Sequence, residues 1–287
     1  MWNKFKHIRM FLTVVSMLLL TGCSDEDVTT SSEGVRVRIA VNEEPWEAEK
    51  VMLTRVGETM TSLKSTGFGL FSTSLGFNNQ KVTWSSGYLE WDFGSKVLWP
   101  DNTVPAIGSL DLRAYAPYNY TGSAITMTDN KITFAPAVDN TTDLLWAERA
   151  VSDNGTVTLN FQHALARLSF GTITNNYGRD ITLTGVTATG ALYTTGDLSL
   201  TDGTWTASTT ETRNYASSPS LAVSSGSTVS LTMTDILQIP GPTVNVTFTF
   251  TSTDFGTQTV TTSLILEQSQ HKTLNLTIGL NHEVVVE

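Results

Sequence analysis

Strict alternation of apolar and polar residues recurs along this chain, and it leaves few folds open. Val35, Val37, Ile39 and Val41 alternate with Arg36, Arg38 and Ala40. The same period runs through Val157, Leu159 and Phe161, then Ala166, Leu168 and Phe170. It returns at Val229, Leu231 and Met233, at Val244, Val246, Phe248 and Phe250, and at Leu274, Leu276, Ile278 and Leu280. Successive side chains of a strand point to opposite faces, so each run offers one apolar face to a core. The residues between are mostly Thr, Ser and Asn, and charged residues make up only 15% of the chain. That composition suits strands with one wet face.

Turn chemistry agrees. Ile125 to Phe134 reads as a hairpin around Asp129-Asn130, Asn154-Gly155 precedes the Val157 run, and Asp202-Gly203 separates Leu198–Leu200 from Trp205. Asn-Gly and Asp-Gly favour the positive φ angles of tight hairpins. No segment sustains a 3.6-residue apolar period with caps; the best short helix candidate, Leu144 to Val151, spans about two turns. The expected fold class is therefore all-β, built as antiparallel sandwiches rather than a parallel α/β sheet. Val157–Phe161 and Ala166–Phe170 are separated only by Gln162-His163-Ala164-Leu165. Read as the last strand of one sandwich and the first of the next, they divide the chain into domains at 35–162 and 163–287, each near the usual domain size. Six of the seven tryptophans lie before position 150, so the halves are not close sequence repeats.

The N-terminus follows a different logic. Lys4, Lys6 and Arg9 precede an apolar run from Met10 to Leu20, too short for the roughly 20 residues of a membrane span. A basic start, a short apolar core and small residues at the cut describe a signal peptide over 1–22. The single cysteine, Cys23, follows Leu20-Thr21-Gly22. Leu-Thr-Gly-Cys resembles a bacterial lipobox, in which the sulfur receives a diacylglycerol and the new amino group is acylated; an ordinary cleaved signal is the alternative. Residues 23–34 open with Ser24-Asp25-Glu26-Asp27 and are too poor in apolar residues to fold, so they read as an acidic tether. Its acidic cluster is either a solvated linker or an export signal similar to that of surface lipoproteins in the Bacteroides group.

Charge and residue chemistry exclude several functions. Residues 1–22 hold three of the 17 basic residues and no acid, which leaves 14 against 27 and a formal charge of −13. Nucleic acid and anionic membrane surfaces are poor partners for such a chain, since phosphate binding rests on clustered Lys and Arg. With Cys23 lipidated, no thiol remains for a disulfide or a metal site. His163, His271 and His282 lack metal-ligand spacing. His163, at a strand end between the halves, reads as a hydrogen-bonded structural residue. No Gly-x-Ser-x-Gly elbow, P-loop or dinucleotide fingerprint occurs. Glu43-Glu44 could form a glycosidase pair but reads as a solvated edge. No cofactor, metal or enzymatic activity is expected. Trp84, Trp91, Trp99, Tyr115 and Tyr118 suit either a sugar-binding platform or a core, and at this density in a sandwich the core reading is favoured.

An ordered set of segments resembles the fimbrillin-like family, the pilins, tip proteins and anchors of type V pili in Bacteroides-group bacteria. Its centre is Asp143-Leu-Leu-Trp-Ala147 followed by Val157-Thr-Leu-Asn-Phe161-Gln-His163-Ala-Leu165-Ala-Arg-Leu168-Ser-Phe170. In order around it stand Gly67–Phe71, Phe77–Val82, Leu98-Trp99-Pro100, Ala114–Tyr118, Gly196-Asp197-Leu198, Ile236–Pro240 and Lys272–Leu276.

The resemblance implies two transthyretin-like, Greek-key β-sandwich domains and a precursor delivered as an outer-membrane, cell-surface lipoprotein. It further implies that an Arg-directed protease cuts after an N-terminal strand. The vacated groove then takes a strand from a neighbouring subunit, by β-strand addition to an open edge. Here the removable strand is Val35, Val37, Ile39 and Val41. Arg36 and Arg38 lie inside it, whereas Arg55 follows Leu53-Thr54 and resembles the family's processing site; an ordinary surface arginine is the alternative. Anchor members keep their lipid and are not cut. Val284–Val286 is short for a donor strand, or finishes the last native strand, which leans towards a tip, accessory or anchor role over a stem. The expected partners are other pilus subunits and the outer membrane through Cys23. A rival reading is a glycan-binding surface lipoprotein of a polysaccharide-uptake system, which would display its tryptophans on one face.

Overall fold

The computed structural model describes residues 36–44, 46, 60–99, 111–118, 123–127, 131–151, 156–254, 256–280 and 284–286. Cys23, the acidic tether, Val35 and Arg55 lie outside these, as do the turns at Asp129-Asn130 and Asn154-Gly155. The described chain opens with β1 (Arg38–Glu43), the short helix α1 (Met60–Thr66), β2 (Phe68–Ser72), β3 (Phe77–Ser85), β4 (Glu90–Asp92) and β5 (Arg113–Ala116). Next come β6 (Ser123–Met127), β7 (Lys131–Pro136), β8 (Leu145–Val151) and β9 (Thr156–His163). The remainder is β10 (Ala166–Asn175), β11 (Ile181–Ser199), β12 (Trp205–Ser217), β13 (Leu221–Val223) and β14 (Thr228–Ser230). It ends with β15 (Ile236–Gln238), β16 (Thr243–Ser252), β17 (Gly256–Ile265), β18 (His271–Ile278) and β19 (Val284–Val286). No helix among the described residues is long and apolar enough to cross a membrane.

The strands form three sheets in a sandwich-type, all-β fold. The first runs β1-β9-β8-β5-β2-β3-β4; the second runs β14-β10-β18-β19 with β15 beside β10; the third runs β17-β16-β11-β7-β6, with β12 and β13 also on β11. Alternation sets which face is dry. In β9, Val157, Leu159, Phe161 and His163 are buried while their neighbours are half-exposed. In β16, Val244, Val246, Phe248 and Phe250 are buried in the same way. One core fills the first sheet around Phe68, Leu70, Trp91, Leu159 and Phe161. A second joins the other two sheets through Leu168, Phe170, Val186, Phe248, Leu274 and Leu276.

Three departures from the sequence reading have physical causes. Leu145–Val151 is a strand, not a helix, because β8 is hydrogen-bonded on both sides, to β5 and β9; tertiary pairing overrides local propensity. Two ladders are parallel rather than antiparallel. β1 pairs with β9 from Arg38↔Thr156 to Glu43↔Phe161, and β10 pairs with β18 from Arg167↔His271 to Asn175↔Ile278. Parallel neighbours need a long crossover instead of a hairpin, and alternation alone carries no direction. Third, alternation fails at the start of β10, where Arg167 and Ser169 are buried with their apolar neighbours. Each has a partner: Arg167 Nε donates to Asp235 Oδ2 at 2.8 Å, and Ser169 Oγ lies 2.7 Å from His271 Nε2.

The hairpin β6–β7 precedes β8 in sequence but extends the third sheet, with Gly196↔Phe134 and Ser199↔Lys131 in register. Ile132 and Phe134 are fully buried there, in a third core with Trp46, Phe71, Tyr115, Trp146, Leu165, Leu198 and Ile239. This core draws on residues from both sides of the change of sheet between β9 and β10.

Candidate assembly site at the first strand

β1 stands at one end of the first sheet and, among the described residues, has a full ladder only with β9. Its inward residues are core residues: Val37 is 2% exposed, Ile39 is 7% exposed, and Val41 is half-buried against the same cluster. Burying such side chains stabilises by roughly 1.5–3 kcal/mol each when complete. The outward residues point the other way. Arg38 is exposed, and Arg36 Nη1 lies 3.1 Å from Glu90 Oε1, a half-exposed ion pair worth little. Val37 N donates to Val97 O at 2.9 Å, and Arg36 forms an isolated bridge with Leu98. At the far end, Asn42 Nδ2 donates to Asn160 Oδ1 at 3.0 Å, and Glu44 N donates to Phe161 O at 2.7 Å. Glu43 and Glu44 thus sit at the end of a ladder.

β1 and β4, the two ends of the first sheet, line a common groove. A cavity of about 520 Å³ lies between them, with Val37, Ile39 and Val41 on one side and Trp84, Leu89 and Trp91 on the other. Trp91 is buried and packs edge-on to Phe68 at 5.1 Å and to Trp84 at 5.4 Å. Lys64 Nζ covers the Trp84 ring at 4.1 Å. Tyr88 and Leu89, on the turn between β3 and β4, are 81% and 73% exposed. Sequence reading favoured a core for Trp84, Trp91, Trp99, Tyr115 and Tyr118; Trp91, Trp99 and Tyr115 are buried, whereas Trp84 and Tyr118 are only half-buried. No described tryptophan is exposed.

Beyond β1, Trp46 enters the third core. Its ring stacks on His163 with centroids 3.9 Å apart and planes 15° apart, and its edge meets His271 at 6.1 Å. His163 also bonds Asp143 through Nδ1 and Oδ2, with both side chains buried. Asp143 Oδ1 accepts from Leu144 N at 2.8 Å. His163 O accepts from Ser269 Oγ at 2.6 Å, and Ala164 O from Trp205 Nε1 at 2.7 Å. His163 is thus a structural residue at the change of sheet. Trp46 was not singled out in the sequence; the available signal was one large aromatic, in Glu44-Pro45-Trp46-Glu47, stranded among acids just after an alternating run.

Close approach requires glycine at Gly69. A Cβ there would lie 2.1 Å from Tyr115 Cε1, its cross-strand partner. Burial pushes the Tyr115 phenol above its usual range, although its hydrogen bond to Asn79 Oδ1 at 2.8 Å opposes this. Nearby, Asp111 closes the β2–β3 turn. Burial works against its charge, but hydrogen bonds from the Ser74 and Ser72 hydroxyls and the Thr73 and Ser74 N–H groups outweigh it. They hold the carboxyl well below the usual range. Among the described residues, no group of three His, Cys, Asp or Glu could hold a metal ion.

A sequence profile of the fimbrillin-like family matches residues 38–287, from the first residue of β1 to the end of the chain. The chain belongs to the fimbrillin-like family. As a member it is a structural, non-enzymatic protein, with a pilus or adhesion role at the cell surface. No curated protein matches it in sequence. Among solved structures, this fimbrillin-like chain is similar to a candidate cell adhesion protein from Bacteroides ovatus. The two are 16% identical with a TM-score of 0.53, over 88% of this chain and 95% of that one, which shows a shared fold. It is also similar to a candidate adhesin from Bacteroides thetaiotaomicron, at 11% identity and a TM-score of 0.44, over 88% and 95% of the two chains.

Proposed function

We propose that this chain is a structural subunit of a type V pilus, exported as an outer-membrane lipoprotein on Cys23 and joined to its neighbours by exchange of the first strand. The supporting observation is the placing of β1. Among the described residues it is an edge strand with a full ladder to β9 alone, yet Ile39 and the adjoining Val37 are buried in the core. Removing it would leave an apolar lane beside β9 that an extended strand with alternating apolar residues can refill. In this reading, Arg55 is the processing site, and the chain before it leaves with Val35, Val37, Ile39 and Val41. Residues 35–162 and 163–287 are two sandwich domains, with the β6–β7 hairpin of the first completing a sheet of the second. The glycan-binding alternative loses its platform, since no described tryptophan is exposed.

N-terminal sequencing of the protein from cells tests the reading. A new terminus at Val56 supports a polymerising subunit, and an acyl-blocked Cys23 supports an anchor. A free, unmodified Cys23 would remove the lipoprotein claim. Multimers forming equally well with Arg55→Ala would remove Arg55.

A further inference from the structure

We propose that the socket occupied by Trp46 is a specificity pocket for assembly: it takes a planar aromatic side chain carried by the strand that a neighbouring subunit lays beside β9. This rests on the strand-exchange reading above. Trp46 lies three positions beyond β1 and before Arg55, so a cut there removes it together with β1. The loss would not be confined to the groove. Trp46 is 1% exposed, and its ring covers the imidazole of His163, whose own contact with Asp143 is buried. Emptying the socket uncovers that polar pair at the point where the first and third cores meet.

The chemistry of the socket selects its occupant. One wall is an imidazole face at stacking distance, and His271 presents a second ring obliquely. A flat ring satisfies both contacts, with offset-stacked and edge-on geometry. A branched aliphatic side chain has no flat face to set against the imidazole. Register is fixed as well. Glu43 faces Phe161, so the required aromatic stands three positions beyond the residue that faces Phe161, towards His163. An incoming strand with only an alternating aliphatic face would replace Val37 and Ile39 and leave the socket open. The described C-terminal strand β19 is Val284-Val285-Val286 and is already paired with β18. The fitting partner is therefore an aromatic-bearing strand of a different subunit.

The test uses the full chain with a site-specific protease sequence in place of residues 50–55, cut after folding. A fluorescein-labelled peptide of residues 36–48 is the probe, and unlabelled variants compete for the site. The Trp46→Phe peptide is expected to compete within about tenfold of the native peptide. The Trp46→Ala peptide is expected to compete at least about 100-fold more weakly, the loss that truncating a buried aromatic produces. A peptide with Trp46 and Glu47 exchanged should be as weak as the alanine variant. Equal competition by the alanine and native peptides overturns the socket while leaving strand exchange intact. An Ile39→Asp peptide that competes as well as the native one overturns strand exchange itself, and the socket with it.

Discussion

Gly203→Ala should be far more costly than an alanine at any open turn glycine, because two separate penalties meet there. Gly203 lies in the turn between β11 and β12 at φ +71°, where its N–H donates to Ser199 O at 2.9 Å. An alanine in this left-handed region costs about 1–2 kcal/mol from backbone sterics alone. A Cβ at this position would also lie 2.0 Å from Cζ2 and 2.3 Å from Cε2 of Trp146. That indole is 4% exposed in the core shared by both sides of the sheet change, so it has no free space to move into. Forced repacking of a tight core costs about 1–3 kcal/mol more. The total is about 2–5 kcal/mol. Gly226 supplies the control: its φ is +73°, and a Cβ there meets nothing within 4 Å. Gly226→Ala should therefore lose only about 1–2 kcal/mol. Urea unfolding of both variants, followed by tryptophan fluorescence, separates backbone from clash. Equal losses in the two variants would refute the clash argument and mean that Trp146 gives way freely.

Three further outcomes follow from the same structure. Ile39→Ala should destabilise the uncut chain by about 2–4 kcal/mol, against under about 1 kcal/mol for the half-buried Val41→Ala; amide hydrogen exchange in β1 and β9 reads the difference, and equal protection in both variants contradicts the burial pattern. Asp111→Asn should cost about 1–2 kcal/mol at pH 7, a figure reduced by partial exposure of the carboxylate. Because the folded-state pKa is depressed, that stabilisation is present above the ordinary carboxylate range near 4 and fades as pH falls below it. Denaturation of the wild type and variant should therefore converge in acid; a gap that stays constant down to pH 2 contradicts this. Asp143→Ala should cost about 1–3 kcal/mol by leaving His163 buried without its partner, measured by the thermal midpoint; an unchanged midpoint would show that the pair is dispensable.

Much of the fold was legible in the alternating runs, because period two fixes both the strand and its buried face. β9, β16 and β18 bury the residues that alternation selects. The β11–β12 hairpin closes at Asp202-Gly203, as turn chemistry predicts. What stayed hidden was set by partners distant in sequence. β12 includes Thr-Glu-Thr-Arg-Asn with no alternating apolar face, and it is a strand because β11 templates it. β11 runs 19 residues through Gly185, Gly190 and Gly196, each of which reads locally as a break. The parallel sense of β1 and β10 depends on crossovers that no local window contains. At the candidate site, the buried face of the edge strand was legible from Val37 and Ile39. The Trp46 socket was not, since its walls at His163 and His271 come from elements more than a hundred positions away.

One end of the first sheet joins the beginning of its sequence to its end. Asn42 and Asn160, bonded across β1 and β9, are 118 positions apart. Closing so long a loop costs more chain entropy than closing the local hairpins, and contacts of this kind slow folding. Within the first sheet, β1 and β9 are the paired strands that lie farthest apart in sequence. A chain cut short before β9 therefore leaves β1 without its template and β8 with a bare edge, both open to aggregation.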